Sequence, residues 1–519
     1  MIKMKMRSFG RKTYLIVFLL FYLFKTEAVL SQGFNHTLLL GYDVGLFDTN
    51  VTATKAILEF NVNSINVTAA NFKMPFSGAQ ANISDANGNL IISTNGCWIA
   101  NATGDTMLNG AGLNPGSFTS AWCNTISGIP VPHGDVIVPY PGDSLKYVLF
   151  HQTVDYNNSS LSSAIFYTVI DMTLDSGLGG VISNKKNLIA VQDTFSFGIA
   201  ACKHANGRDW WIVALKDSSD IIFKILLSPN GIASVMQQPL GVPFAYQGEG
   251  QPTFSPDGSK FAYTDHEGPF NNSVHDARLF DFDRCSGTFS NPKYINLFDK
   301  KAGLGLAFSS NSKYLYACSF KRIFQMNTDS TVIVVDTVAK NDGFYSPYPP
   351  LQTDFWTMYL AANGKIYISS GSSVIDVHYI DFPDSNGLAC NVQQHALHLP
   401  CYSYRGDVNH PNYYLGRLIG SSCDTVWQSI QEQRHDFHFR IYPNPITSNS
   451  LHIGYQLPQN ISGIFSIIDI TGKVVFKYNL PQWSNEQSFN LPDLSNGVYS
   501  CVVTASGYRV SKKLVVIRE

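Results

Sequence analysis

Residues 252–264 read PTFSPDGSKFAYT, and the same pattern returns at 306–318 (LAFSSNSKYLYAC) and 358–370 (MYLAANGKIYISS). Each copy is a short apolar stretch, a tight turn centred on Asp-Gly, Asn-Gly or a near equivalent, and then an alternating aromatic strand. Asn-Gly and Asp-Gly supply the positive φ that hairpin turns demand, and alternation places every second side chain on one sheet face. Further copies lie upstream at 83–94 (ISDANGNLIIST), 138–150 (VPYPGDSLKYVLF) and 202–215 (CKHANGRDWWIVAL). With Gly88, Gly142, Gly207, Gly258, Ser312 and Gly364 as markers, the spacings are 54, 65, 51, 54 and 52 residues. A period near 50 with several short strands per unit is the mark of a β-propeller, one four-stranded blade per repeat. Additional strands follow the hairpins at 164–172, 221–228, 277–283, 323–327 and 374–381, and helical periodicity is almost absent. A row of sandwich domains is the competing all-β architecture, and the regular spacing argues against it.

The fold class expected is therefore all-β: a propeller of six to eight blades, most simply seven, over residues 32–430. Its ring would close by joining the N-terminal strand HTLLLGYD (36–43) to the segment around NHPNYYLG (409–416). Near residue 430 the texture changes. Residues 431–440 read as a polar linker, and 441–519 as a small immunoglobulin-like β-sandwich of short alternating strands.

Composition agrees. Of 519 residues, 45% are hydrophobic, 13% aromatic and only 14% charged, which excludes a disordered chain, a coiled coil and a basic nucleic-acid-binding protein. Residues 1–31 combine Lys3, Lys5, Arg7, Arg11 and Lys12 with the unbroken apolar run Tyr14 to Phe24, too short for a membrane span and suited to a signal peptide cut before Gln32. Removing them takes the formal charge from −2 to −7, so nucleic acid is not an expected partner, and no later segment is long and apolar enough to span a bilayer.

The tail carries a specific resemblance. Tyr442, Pro443, Asn444 and Pro445 come first, followed by a turn with Asp469, Gly472 and Lys473, then Gly497 and Tyr499, then a last strand with Lys512 and Lys513. That order resembles the type A C-terminal sorting domain of the type IX secretion system of Bacteroidetes. The resemblance implies that this module is an address read at the outer membrane, that it is usually cleaved, and that the type IX machinery is a partner. The propeller segments 83–96, 203–211, 254–260 and 409–425 resemble exported, WD-repeat-like Bacteroidetes propellers, which implies architecture without an activity.

Nine cysteines in an exported chain point to disulfides. Cys97 and Cys123 are neighbours in sequence, as are Cys285 and Cys318, and Cys390, Cys401 and Cys423. The odd count leaves at least one thiol, with Cys501 as a buried apolar residue. Cys390, His395, His398 and Cys401 offer the donor set of a tetrahedral zinc site; the expectation is instead a disulfide at Cys390, to Cys401 or Cys423, with no zinc and no other cofactor. Asp265, His266 and Glu267, with His275 and Asp276, form a charged loop that could bind a ligand or serve acid–base chemistry. Lys203, His204, Arg208, Asp209, Trp210 and Trp211 read as blade architecture. Nucleophile-elbow, zinc-helix, phosphate-loop and dinucleotide motifs are absent from the sequence. The function expected is a non-catalytic surface or secreted propeller binding a glycan, protein or polymer. The alternatives are an adhesion component, or a hydrolase or lyase whose catalytic groups come from separate blades.

Overall fold

The computed structural model describes residues 33–518, apart from 45–50, 62–63, 124–127, 156–160, 242–249, 268–273, 300–301, 348–349, 425–438, 456, 458–461, 482–485 and 506–507. The signal peptide and most of the linker expected from the sequence lie outside the described residues.

Among the described residues seven antiparallel blades surround one axis. Blade 1 comprises Thr37–Gly41, Lys55–Asn61 and Ser64–Ala70. Blade 2 runs from Ala79–Ser84 through Thr106–Ala111, and blade 3 starts at Asp135–Pro139 and continues through Lys146–His151 to Leu161–Asp171. Blades 4 to 7 have inner strands in Leu188–Lys203, Pro252–Phe254, Ala302–Phe308 and Met358–Leu360. The 16-residue strand Leu188–Lys203 serves two blades. Its first half pairs with Leu161–Asp171 and its second with Trp210–Lys216. The register breaks between Phe195 and Ile199, where Gly198 adopts φ +106 and a Cβ would lie 2.7 Å from Pro252. Only glycine fits that corner.

Blade-to-blade packing closes the ring. Leu39 and Ile57 of blade 1 meet Ala100 and Trp98 of blade 2. Blades 4 and 5 share Trp211, Val213, Phe261 and Phe280. Blades 5 and 6 share Leu279, Ile295, Leu315 and Phe324, and Tyr316 and Ile323 pack against Ile366 and Ile380 across blades 6 and 7. The seam between the last blade and the first holds Leu38, Leu58, Phe60, Tyr359, Tyr367 and Leu399. Closure thus differs from the sequence expectation. Blade 1 is built from N-terminal strands alone, and 409–416 is not one of its strands.

Five of the six repeat turns open alike, Gly88, Gly207, Gly258, Ser312 and Gly364 each donating N–H to the carbonyl three residues earlier, whereas at Gly142 the bond runs from Asp143 N to Tyr140 O. Gly88, Gly142, Gly207, Gly258 and Gly364 have φ between +71 and +88, and Ser312 has φ +63. In the first, Gly88 N donates to Asp85 O at 3.0 Å and Asp85 N donates to Asn89 O at 2.8 Å. That is a type I turn followed by a left-handed residue rather than a two-residue turn.

The tail is a two-sheet sandwich. Phe439–Tyr442, Ser450–Tyr455 and Glu486–Asn490 form one sheet; Val474–Leu480, Gly463–Ile468, Gly497–Ala505 and Tyr508–Val516 form the other. Phe465 and Phe489 stack at 5.2 Å in a core with Ile453, Ile467, Cys501, Leu514 and Val516. Asn444 of the Tyr-Pro-Asn-Pro run clasps the last strand: its Nδ2 donates to Lys513 O at 2.6 Å and its Oδ1 accepts from Val515 N at 2.9 Å. Asp469 Oδ1 accepts from Thr471 N and Lys473 N to shape the turn at Gly472, whose φ is +88. Tyr499 Oη donates to Ser495 O at 2.9 Å. The motif residues are thus the fasteners of this sandwich, and Lys473, Lys512 and Lys513 stand exposed on it.

Candidate functional site

After blade 7 the chain pairs Asp407 and Val408 with Ala79 and Gln80 in parallel, then crosses the axis. The strap 409–418 ties six blades together. Asn409 Nδ2 donates to Ile199 O, His410 bonds Asn82 O through Nε2 (2.6 Å) and Tyr359 Oη through Nδ1 (3.0 Å), and Asn412 Nδ2 donates to Pro256 O (2.6 Å). Tyr413 Oη donates to Ile137 O (2.9 Å) and Tyr414 Oη to Asn35 Oδ1 (2.7 Å). Burial holds His410 neutral, its pKa lowered to about 4, and both ring nitrogens are engaged.

The strap is anchored by the cluster read from the sequence as blade architecture. Lys203 Nζ donates to Tyr413 O at 2.9 Å and lies 5.3 Å over the Trp210 ring; burial lowers its pKa to about 8. Arg284 donates to Lys203 O, His204 O and Gly416 O, and Trp211 Nε1 donates to Arg284 O. His204 Nε2 bonds Cys285 O, and Arg208 pairs with Asp209. The strap ends on a disulfide, Cys285–Cys423.

That bridge corrects two expectations. Cys285 does not pair with Cys318, and Cys390 is not disulfide-bonded. Cys318, Cys390 and Cys401 are buried free thiols, as are Cys202 and Cys501, while Cys97–Cys123 does form. The reason is location. Cys390 sits in the core between blades 6 and 7, Cys401 in the seam between blades 7 and 1, and Cys318 is sealed inside a strand. The same separation disperses the zinc quartet. His395 bonds Asp342 (2.9 Å) and stacks on Phe344. His398 Nδ1 bonds the buried Asp376 Oδ1 (2.7 Å) with its ring largely exposed. Among the described residues no group of three or more His, Cys, Asp or Glu is placed to hold a metal. Asp265, His266 and Glu267 extend a blade 5 strand, paired with Asp276, His275 and Val274, rather than forming a loop; their side chains lie outside the described residues.

Beside the strap, on the face carrying the repeat turns, is a pocket of about 130 Å³. Inner strands of blades 5 to 7 contribute Phe254, Phe308, Tyr359 and Leu360, their turns contribute Pro256, Ser310 and Gly364, and the strap contributes His410, Asn412 and Tyr414. Among the described residues no lysine or arginine lines it. Its last wall is Glu486 of the tail sandwich, 4% exposed, with burial pushing its carboxyl up to about 8. The sandwich reaches the same face elsewhere. Tyr478 Oη donates to Asp384 Oδ2 and accepts from Asn311 Nδ2, both at 3.3 Å. His452 stacks on Phe382 at 6.2 Å and on Tyr442 at 5.3 Å. The sequence reading missed this site. Its one signal was the run Asn409-His410-Pro411-Asn412-Tyr413-Tyr414, too rich in amides and aromatic hydroxyls for an edge strand.

Fold and tail together define an exported β-propeller carrying its own delivery module. Residues 440–517 match the family described as "secretion system C-terminal sorting domain". The tail is a type IX sorting domain, and it directs the chain to the outer surface or the medium; among the described residues no helix is long and apolar enough to cross a membrane. A search of curated proteins finds no match. Similar solved structures include a functionally unknown protein from Desulfotomaculum acetoxidans (13% identity, 68% of this chain and 96% of that one, TM-score 0.36). An auxiliary nutrient binding protein from Bacteroides thetaiotaomicron is also similar (11%, 64% and 74%, TM-score 0.33). So is an exo-beta-1,3-galactanase from Phanerochaete chrysosporium (10%, 76% and 92%, TM-score 0.31).

Proposed function

We propose that this protein is an exported, non-catalytic propeller that binds a neutral glycan on its turn face, at the axial pocket, after delivery by its sorting domain. The observation that carries this reading is the chemistry of the wall. Aromatic rings of Phe254, Tyr359 and Tyr414 stand beside hydroxyl and amide groups of Ser310, Asn35 and Asn412, without a lysine or arginine among the described residues. Aromatic rings with a few placed polar groups suit a polyhydroxylated, uncharged ligand, and an acidic one would find no counter-charge there. The ring's own ionisable groups at the site are poorly suited to proton transfer. His410 is neutral with both nitrogens bonded, and burial raises the Tyr359 and Tyr414 hydroxyls well above their usual range. Catalysis at neutral pH wants a group poised near 7, and the lining group that comes near it, Glu486, belongs to the tail sandwich and not to the ring.

The test uses the protein recovered from the medium or the cell surface, screened on neutral and acidic oligosaccharide arrays. Binding to neutral glycans that falls at least about tenfold in Tyr414→Ala, roughly one stacking contact, supports the reading. Binding confined to acidic glycans, or indifferent to Tyr414, overturns it.

A further inference from the structure

The pocket is too small for the ligand proposed for it. At about 130 Å³ it falls well short of ligand sites, which run to about 300 Å³ and more. What limits it on one side is the tail. Glu486 is a wall residue contributed by a separate module, joined to the propeller only through residues 425–438. The sandwich has its own core around Phe465 and Phe489, so it can leave the turn face without either module unfolding.

The contact surface is polar. Tyr478 bridges Asp384 and Asn311, His452 meets Phe382 face to face, and Glu486 reaches the axis. Interfaces of this sort between modules of one chain resemble transient protein–protein contacts. The docking also leaves the export elements clear. In the four-stranded sheet of the sandwich, the Tyr478 strand Val474–Leu480 is at one edge and Tyr508–Val516, with Lys512 and Lys513, is at the other.

We propose that the C-terminal sandwich is a lid as well as an address: docked through His452, Tyr478 and Glu486, it closes the axial pocket, and the pocket admits a neutral glycan only when the sandwich swings away or is removed. The lid rests on the reading of the axial pocket as the ligand site, but its own test needs no ligand. Without the lid the inner ends of blades 5 to 7 and the strap remain as a concave floor. With it, the propeller travels with its binding face covered.

The experiment places a reporter thiol at the pocket, Ser310→Cys, in the full chain. Ser310 lines the pocket and is 7% exposed, and the five other described free thiols are buried, so a bulky water-soluble maleimide should read the new one. Two undocking variants are added to it separately. Glu486→Arg forces a large cation into a wall without counter-charge, and Tyr478→Ala removes the bridge to Asp384 and Asn311. Labelling about tenfold or more faster in either variant than in the Ser310→Cys parent, as expected when a covering element opens locally, supports the lid. Equal rates in parent and variants overturn it. If neither variant folds, a protease site inserted within 425–438 of the parent is cut and the two halves are resolved by gel filtration. Release of the sandwich accompanied by faster labelling supports the lid, and release without it overturns the lid. The same cut sample, offered maltohexaose and cellohexaose, separates the two ideas. Faster labelling with no binding of either sugar leaves the lid standing and counts against the glycan reading alone.

Discussion

Replacing Asp135 by asparagine should make the propeller less stable in acid and more stable above neutrality. Asp135 opens the inner strand of blade 3 and is 0% exposed. Among the described residues neither of its carboxylate oxygens has a hydrogen-bond partner. Burial alone pushes its pKa up to about 8, against about 3.9 in an unfolded chain. The folded state therefore binds the extra proton between those two values, and stability falls as pH rises from about 4 towards 8. At 1.36 kcal/mol per pKa unit the loss is about 4 kcal/mol at pH 7 and near zero at pH 4. Asparagine has a similar shape and never ionises, so it removes this slope. Its amide has two N–H donors where the protonated acid has one O–H, and the extra unpaired donor carries a pH-independent cost of about 1–3 kcal/mol. The difference between variant and parent should thus start at about −1 to −3 kcal/mol near pH 4, change sign between about pH 4.5 and 6, and favour the variant by a few kcal/mol at pH 8. Urea midpoints of the two proteins, measured side by side from pH 4 to pH 8, supply the assay, because every other titration cancels in the difference. A difference that varies by less than about 1 kcal/mol over that range would refute the reasoning.

Three further outcomes are expected. Burial lowers the pKa of His133 and His151 to about 3 and of His378 to about 4; the unfolded chain protonates them near 6.5, so each costs about 2 kcal/mol of stability by pH 5, and His151→Gln should flatten part of the acid limb of the urea midpoint. Cys285→Ser/Cys423→Ser opens a loop of 138 residues, worth about 5 kcal/mol by chain entropy, and should lower the thermal midpoint and speed proteolysis at 409–424; an unchanged midpoint would show that the strap holds without its bridge. Ending the chain after residue 507 removes Leu514 and Val516 from the sandwich core and the partners of Asn444, so the protein should accumulate in the periplasm with the propeller still protease-resistant, and normal export would contradict the role given to the tail.

How far the sequence could be read depends on how local each feature is. The hairpins are decided by four or five adjacent residues, since Asp85, Asp257, Asn311 and Asn363 each fold back onto backbone amides two residues on. That makes the blades visible as a period. The Asn444 clasp is long-range, yet its residues recur in a fixed order, so the tail could be recognised without knowing what the asparagine does. The strap offered neither signal. Its bonds run to Asn35, Asn82, Ile137 and Ile199, each in a different part of the chain, and nothing local in 409–416 says that it fills an axis. The cysteines misled for the same reason. Sequence neighbours suggested Cys285 with Cys318, but blade order turns one inward and leaves the other at the rim, within reach of a strap that arrives 138 residues later. Glu486 was illegible because its burial comes from another module.

The bond between Tyr414 and Asn35 spans 379 residues, and the seam of blades 7 and 1 spans nearly as much. A ring whose first and last members must meet, with its axis sealed by a segment that follows both, cannot close until most of the chain is present. Loop-closure entropy then sets the pace, and assembly is slow for a protein of this size. A chain emerging N-terminus first would hold blade 1 as an incomplete, three-stranded edge with Leu38, Leu58 and Phe60 uncovered, the kind of surface that aggregates or recruits holding chaperones. Moving the termini to another inter-blade junction would make blades 7 and 1 neighbours in sequence and pass the same wait to the two blades beside the new termini, with the blade packing unchanged.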